Sequence, residues 1–183
     1  MFHIGTKELV TKRLVLRKFL LSDASEMFSN WANDPEVSKF LSWEPHGKIE
    51  VTQSVINDWV NAYENLNCYN WAIIFNNKLI GSISLLNPND ELCEAEAGYC
   101  MSKNYWGLGI MPEALSAVLK YSFNEVGFKR IYAKHDIGNP NSGKVMKKCG
   151  MQYIETANKP LALKPEEIHM CDCYEILNSN GTL

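Results

Sequence analysis

The hydrophobic and polar positions change rhythm several times along the chain, and each change marks an element. Leu14-Val15-Leu16-Arg17 reads as a first strand. Ser22-Asp23 then precedes a helical stretch over 24–31, with Ser22 as its cap. Pro35, after Asp34, suits the first position of another helix. Over 50–66, Val51, Val55, Ile56, Trp59, Val60 and Tyr63 recur at three- and four-residue spacing, the mark of an amphipathic helix. The runs 71–75 and 79–86 flank Asn76-Asn77-Lys78 and predict a hairpin. Asn87-Pro88-Asn89-Asp90 predicts a further turn, and 94–102 the next strand. Met111, Leu115, Val118, Leu119 and Ser122 make one face of a helix over about 111–126. A strand over 130–136 follows. Asn139-Pro140 opens a short helix with Asn139 as cap, and Gly150 is its left-handed stop. The runs 153–156 and 168–176 read as closing strands, with a frayed end over about 178–183.

In this order, helices interrupt a largely hairpin-connected sheet. That predicts an α/β (α+β) fold with a mixed central sheet, as one domain over 1–183. The length suffices for one full core and is short for two. Apolar residues at 46 % and charged residues at 21 % fit a globular chain. A net charge of −3 argues against direct nucleic-acid binding, which needs a dense basic face. One local basic cluster stands out: Lys144, Lys147 and Lys148. The first residues lack the apolar core of a signal peptide, and no run approaches the ~20 apolar residues that cross a bilayer. A cytoplasmic protein without membrane contact is expected. Six cysteines include no C-x-x-C pair, and only Cys171 and Cys173 lie close, on one face of a strand. Reduced, mostly buried thiols and no metal site follow. Asn180-Gly181-Thr182 matches a glycosylation acceptor, read as chance without a secretory signal.

Chemistry concentrates at Asn104-Tyr105-Trp106-Gly107-Leu108-Gly109-Ile110-Met111-Pro112-Glu113-Ala114, between a strand and an amphipathic helix. Two glycines at spacing two let the backbone turn tightly and approach a ligand. The helix that follows offers free N–H groups and the positive end of its dipole. Together they can cradle a pyrophosphate. A glycine turn that merely joins strand to helix fits the spacing equally well. Two familiar phosphate loops are excluded. A dinucleotide fingerprint needs a third glycine where Pro112 stands. A nucleotide-triphosphatase loop needs Gly-Lys-Ser/Thr, which does not occur.

The stretch Tyr105-Trp106-Gly107-Leu108-Gly109-Ile110-Met111-Pro112-Glu113-Ala114-Leu115 resembles the acetyl-coenzyme A loop of the GNAT N-acetyltransferase superfamily, and more narrowly its RimJ/RimL-type branch, which acetylates protein N-termini. Other pieces resemble that family in the right order: Thr11-Lys12-Arg13-Leu14-Val15-Leu16-Arg17 its opening strand, Trp31-Ala32-Asn33-Asp34-Pro35-Glu36-Val37 its first interhelical turn, Glu96-Ala97-Gly98-Tyr99 its fourth strand, and Asn139-Pro140-Asn141-Ser142-Gly143-Lys144-Val145-Met146-Lys147-Lys148-Cys149-Gly150-Met151 its last helix. One departure is visible. Asn104 stands where the family's loop usually carries Gln or Arg, so a long donor to the pyrophosphate is lost.

The resemblance implies a fold whose fourth and fifth strands splay apart around the pantetheine arm of acetyl-CoA. Backbone groups near Tyr99 and Met101 would pair with that arm, and Gly107, Leu108, Gly109, Ile110 and Met111 would supply N–H groups to the pyrophosphate. Asn139 would reach the arm, and Ser142 would donate a proton to the departing thiolate. Glu94 and Glu96 share one strand face by period two, and either could serve as a base, directly or through water; two surface carboxylates is the plainer reading. Glu113 fits an acidic complement to a helix start. His135 lies beside the expected cleft and reads more simply as packed. Trp31, Phe40, Trp43 and Trp59 could wall an acceptor groove and are assigned no catalytic role. The implied activity is direct acetyl transfer to an amine through a tetrahedral intermediate, since Cys100 and Cys149 have no base partner in sequence. The implied acceptor is a protein or peptide N-terminus, as in ribosomal-protein modification, and a homodimer is compatible. A small-molecule amine such as an antibiotic or polyamine stays open as acceptor, as does an acyl-CoA sensor that does not turn over.

Overall fold

In the computed structural model, which describes residues 1–161 and 164–178, the strands join in one sheet ordered β1-β2-β3-β4-β5-β6-β8-β7. They are β1 (Leu9–Val10), β2 (Leu14–Arg17), β3 (Tyr69–Phe75), β4 (Lys78–Asn89), β5 (Glu94–Met101), β6 (Arg130–Asp136), β7 (Gln152–Leu161) and β8 (Lys164–Leu177). The helices are α1 (Ala24–Met27), α2 (Pro35–Ser38), α3 (Ile49–Ala62), α4 (Ile110–Tyr121) and α5 (Pro140–Lys148). All neighbouring strands pair antiparallel except β5 with β6.

Strand alternation sorts the apolar residues onto two faces. Leu14, Leu16, Ile73, Ile83, Ala95, Ala97, Ile131, Ala133 and Tyr174 share a core with Ala114, Leu115 and Val118 of α4 and Met146 of α5. On the other face, Ala72 and Leu79 meet Phe19, Met27, Trp31 and Ile56. Each large side chain fully withdrawn from water stabilises the fold by about 1.5–3 kcal/mol.

Local signals acted where they were self-sufficient. Asn76 and Asn77, at φ 49° and 62°, make the two-residue turn between β3 and β4. The Asp34 carboxylate accepts the Glu36 N–H ahead of Pro35. Elsewhere tertiary pairing took over. Ser22 is not the cap: it lies inside a 3-10 turn, Leu21–Asp23, and Asp23 accepts the Leu20 N–H at 2.8 Å while gripping Arg17 at 2.7 and 2.9 Å. The helical stretch that follows ends in a π turn, Phe28–Ala32. The helix expected over 50–66 stops at Ala62. Asn87-Pro88-Asn89 does not end its strand: Asn87, at φ 51°, lies in a bulge, and Asn89 pairs with Glu94 beyond it. The closing strands are longer than their apolar runs, because each supplies the other's hydrogen bonds over Gln152–Leu161 and Lys164–Leu177. Asn178 is not frayed; its N–H donates to the Lys129 carbonyl at 2.8 Å. The rest of the expected frayed end, with the glycosylation match, lies outside the described residues. No described helix is long and apolar enough to cross a membrane.

The sheet's central irregularity lies between β5 and β6. Their parallel pairing covers only Glu94 with Arg130, Ala95 with Ile131 and Glu96 with Tyr132. Beyond it, β5 follows β4 to Met101, and β6 follows β8 to Asp136. The Ser102 N–H donates to the Ile80 carbonyl. That register turns the N–H and C=O of Tyr99 and Met101 away from β4, into the gap.

Gly81 lets β4 lie close to the free-running part of β5. A Cβ there would sit 2.5 Å from the Cys100 carbonyl oxygen and 3.0 Å from the Met101 Cα. Both obstacles are backbone, so relief requires moving β5 itself. Gly81→Ala is expected to destabilise the fold by about 1–3 kcal/mol, the usual cost of overpacking, read as a lowered urea midpoint. An unchanged midpoint would show that β5 shifts freely.

Candidate active site

The loop leaving β5 is shaped by its glycines. After a 3-10 turn, Lys103–Tyr105, the Trp106 indole N–H donates to the Met101 carbonyl at 2.8 Å, folding the loop back on the strand it left. Gly107 and Gly109 then take φ 78° and 71°, the left-handed region where a side chain is strained. Gly109 caps α4 with no side-chain bond. Among the described residues, the N–H groups of Gly107, Leu108, Gly109, Ile110 and Met111 have no hydrogen-bond partner. A Cβ on Gly107 would meet nothing within 4 Å, so the loop faces open space there. Such a run of free N–H groups at the N-terminus of a twelve-residue helix is an anion-binding concavity.

The loop is braced from the turn between β1 and β2. Glu113 Oε1 accepts the Thr11 hydroxyl at 2.7 Å and the Arg13 backbone N–H at 2.9 Å. Its Oε2 accepts Arg13 Nε at 2.6 Å, and Arg13 Nη1 donates to the Leu108 carbonyl at 3.0 Å. Glu113 therefore does more than complement a helix start. Burial raises its carboxyl, and the Thr11 and Arg13 donors outweigh burial and hold it below the ordinary value.

Across the gap, Tyr99 and Ser142 meet. The Tyr99 hydroxyl lies 3.0 Å from Ser142 Oγ and donates to the Ser142 carbonyl at 3.1 Å. Burial drives the Tyr99 phenol well up, only partly offset by the Ser142 bond, so it stays protonated. Asn139 stands at the N-terminus of α5 but does not cap it: its side chain makes no cap bond, and its amide has no partner among the described residues. Its own N–H donates to the Asp136 carbonyl. His135 is packed, as its plainer reading had it. It stacks on Tyr174 with ring centroids 5.8 Å apart and presses Nε2 against Gly143, where no Cβ could fit.

Glu94 and Glu96 have the opposite strand parity to Tyr99 and lie at the closed end of the β5–β6 pair. Glu94 accepts Arg130 Nη1 at 2.7 Å, and Arg130 Nε continues to Glu175 at 2.6 Å. Glu96 pairs with Lys134 at 2.9 Å. Both carboxylates are engaged by cations, and the structure does not bring them to Ser142. Of the aromatics, Trp31 is fully buried, and Trp59 packs on Phe19 with centroids 4.8 Å apart. Phe40 reaches the open end of β6, its ring 3.0 Å from where Gly138 would carry a Cβ. Cys100 is pushed up to about 11 by burial, and burial also raises Cys149, so both are held as thiols.

Two contributors escaped the sequence reading. Arg13 is 100 residues from Glu113, and no local pattern links them. The Tyr99 side chain had a usable signal: it shares parity with Ala95 and Ala97, whose face packs on α4 and α5.

Comparison with known proteins now decides the family. The model of the acetyltransferase (GNAT) domain matches residues 13–152. The chain belongs to the GNAT acetyltransferases. Uncharacterized N-acetyltransferase p20 of Bacillus licheniformis is 30 % identical over 147 residues, covering 79 % of this chain and 82 % of that protein. An acetyltransferase (GNAT family) from Bacillus anthracis superposes with a TM-score of 0.77 at 26 % identity, over 94 % of this chain and 99 % of its own. RimL, a ribosomal L7/L12 alpha-N-protein acetyltransferase solved with coenzyme A, has a TM-score of 0.81 at 18 % identity, over 93 % of this chain and 98 % of its own, and shares the fold. As a GNAT enzyme this protein is an N-acetyltransferase whose acyl donor is acetyl-CoA.

Because the Glu113 carboxyl is lowered by folding, its contribution to stability is full above the ordinary carboxylate range and is lost as pH falls through its lowered value. Glu113→Gln is expected to lose less stability than the parent between about pH 5 and pH 3. Parallel acid limbs in pH-dependent urea melts would show that the brace does not contribute.

Proposed function

We propose that this acetyltransferase works on the α-amine at the N-terminus of a protein or peptide, such as a ribosomal protein, in the cytoplasm and as one domain spanning the chain. The observation that carries the catalytic part is the Tyr99–Ser142 hydroxyl pair at the gap between β5 and β6.

The five free N–H groups at 107–111 would hold the diphosphate of acetyl-CoA. The Tyr99 and Met101 backbone would pair with the pantetheine arm as an added strand does. The Met101 carbonyl is already used by Trp106, so Met101 contributes its N–H. An N–H facing the gap polarises a thioester carbonyl as negative charge develops on its oxygen. The Asn139 amide, unpartnered at the head of α5, would steady the same arm. The Ser142 hydroxyl then delivers a proton to the leaving thiolate sulfur and takes one in turn from the Tyr99 phenol, which swings from the Ser142 carbonyl to Oγ and is itself reprotonated from solvent. Transfer is direct, because the buried thiols of Cys100 and Cys149 are raised out of the nucleophilic range.

The acceptor must arrive neutral. An α-amine of pKa ~7.7–8.0 is already about a quarter neutral near pH ~7.4, whereas a lysine of ~10.4 is only about 0.1 % neutral. With Glu94 and Glu96 both in ion pairs, a strong general base is not at hand; either would act through water. That arrangement suits an α-amine, as does the fold shared with RimL, named for acting on one.

Ser142→Ala and Tyr99→Phe are each expected to lower kcat by about tenfold to hundredfold, with a smaller change in the KM for acetyl-CoA. Parental kcat in both variants would remove the hydroxyl pair from the mechanism. The acceptor class is tested by thiol release with a panel of short peptides bearing free N-termini, polyamines and aminoglycosides. The peptides are expected to turn over fastest, and N-terminally blocked copies not at all. Turnover confined to polyamines or aminoglycosides would replace the peptide acceptor with a small amine. Tight coenzyme A binding without release by any amine would mark a sensor.

A further inference from the structure

We propose that Arg13 is a positioning residue for acetyl-CoA: by holding the Leu108 carbonyl it fixes the Leu108–Gly109 peptide with its N–H turned toward the diphosphate. The inference rests on the reading of 107–111 as the acetyl-CoA loop.

Among the described residues no peptide is cis, so in the Leu108–Gly109 unit the N–H points opposite to the carbonyl. Arg13 Nη1 binds that carbonyl at 3.0 Å, which directs the Gly109 N–H away from Arg13 and out of the brace. Left alone, this peptide would be easy to flip. A flip changes only ψ of Leu108 and φ of Gly109, and Gly109 adopts φ of either sign at little cost. A flipped unit would place a carbonyl oxygen, with its partial negative charge, where a phosphate must lie. The loop is sensitive to such an error because Asn104 replaces the long donor the family usually carries, leaving backbone N–H groups to do the binding.

The guanidinium can act as a lock because it is itself anchored. Nε and the Arg13 backbone N–H both reach the Glu113 carboxylate, and the Thr11 hydroxyl fixes the same carboxylate from the other side. Glu113 lies in the first turn of α4, the helix whose N-terminus presents Ile110 and Met111. The brace thus ties the glycine loop and the helix end into one unit. The planar fork serves a carboxylate and a carbonyl at once from fixed angles, which the single ammonium of lysine cannot reproduce.

The test uses the full chain and coenzyme A, with affinity from calorimetry and the Gly109 amide followed by NMR in 15N-labelled protein. In the wild type the Gly109 amide proton is expected to move downfield as coenzyme A saturates. Arg13→Ala is expected to raise the Kd about tenfold, the loss of roughly one oriented donor, and to shrink that downfield movement. Arg13→Lys should stay near Arg13→Ala, and Glu113→Gln, which keeps the cation but loosens its anchor, should weaken binding in the same direction. If Arg13→Ala does not fold, Arg13→Lys and Thr11→Val carry the same comparison. Unchanged Kd and unchanged Gly109 movement in the Arg13 variants would overturn the proposal while leaving the cradle intact. Weaker binding in Arg13→Ala with unchanged or tighter binding in Glu113→Gln would mean direct contact between cation and phosphate, and would also overturn it. A wild-type Gly109 amide indifferent to coenzyme A would overturn the cradle reading and the proposal together.

Discussion

Hydrogen-bonding backbone that leaves a sheet must find another partner, and the site of this protein is built on one such departure. β5 and β6 pair for three residues and then part, each keeping its other neighbour. Beyond Glu96, one edge of β5 runs inside the sheet with its N–H and C=O groups turned into a gap. An edge strand at the periphery invites indiscriminate pairing; one enclosed by β6, α4 and α5 selects a narrow extended ligand. The pantetheine arm of acetyl-CoA is such a ligand. The remaining site features take their positions from where that gap opens.

The divergence is held from both sides by close backbone approach. Gly81 lets β4 press on Cys100 and Met101, fixing β5 from the side away from the gap. On the other side, Gly143 lets the first turn of α5 lie directly on His135 of β6, which brings Ser142 within reach of the Tyr99 hydroxyl across the opening. Both glycines act through the absence of a Cβ rather than through flexibility, since neither has a positive φ. At the far end, the ion pairs Glu94–Arg130–Glu175 and Glu96–Lys134 tie β5 to β6 and β8 where the backbone pairing still holds. The strands therefore part at a defined residue.

Elements whose signals are local were legible from the amino-acid order. The β6 bounds, the Asn76-Asn77 turn, the apolar face of α4 and the glycine loop depend on periodicity or on the conformations glycine and asparagine tolerate. Elements that depend on a distant partner were not. Asn87-Pro88 has the composition of a turn, yet the strand continues because a bulge absorbs the positive φ of Asn87 and Glu94 re-engages Asn89. Ser22 has the composition of a cap, yet it lies inside a 3-10 turn, and Asp23, at the head of the helix, makes no side-chain cap bond because its carboxylate is taken by Arg17 and the Leu20 N–H. Asn139 looks like a cap, but its side chain is left unbonded at the mouth of the gap. Within the candidate site, the glycine bend and the strand that leads into it could be located in advance. The Tyr99–Ser142 and Arg13–Glu113 contacts could not, since they join positions 43 and 100 residues apart.

That asymmetry has a physical origin. A cradle made of main-chain N–H groups places few demands on the side chains that touch the ligand, so it would tolerate Asn104 where a longer donor is customary. The demand moves to whatever fixes the backbone conformation: Gly107 and Gly109 at positive φ, and the carbonyl that must face away from the phosphate. Glycine allows the required geometry but cannot enforce it, because the same freedom permits the flipped peptide. Enforcement has to come from outside the loop, and a guanidinium anchored on a carboxylate of the next helix is well suited to hold a single carbonyl. If 107–111 hold the diphosphate as proposed, recognition of the donor is divided between residues that make the loop possible and a distant brace that makes it the populated state.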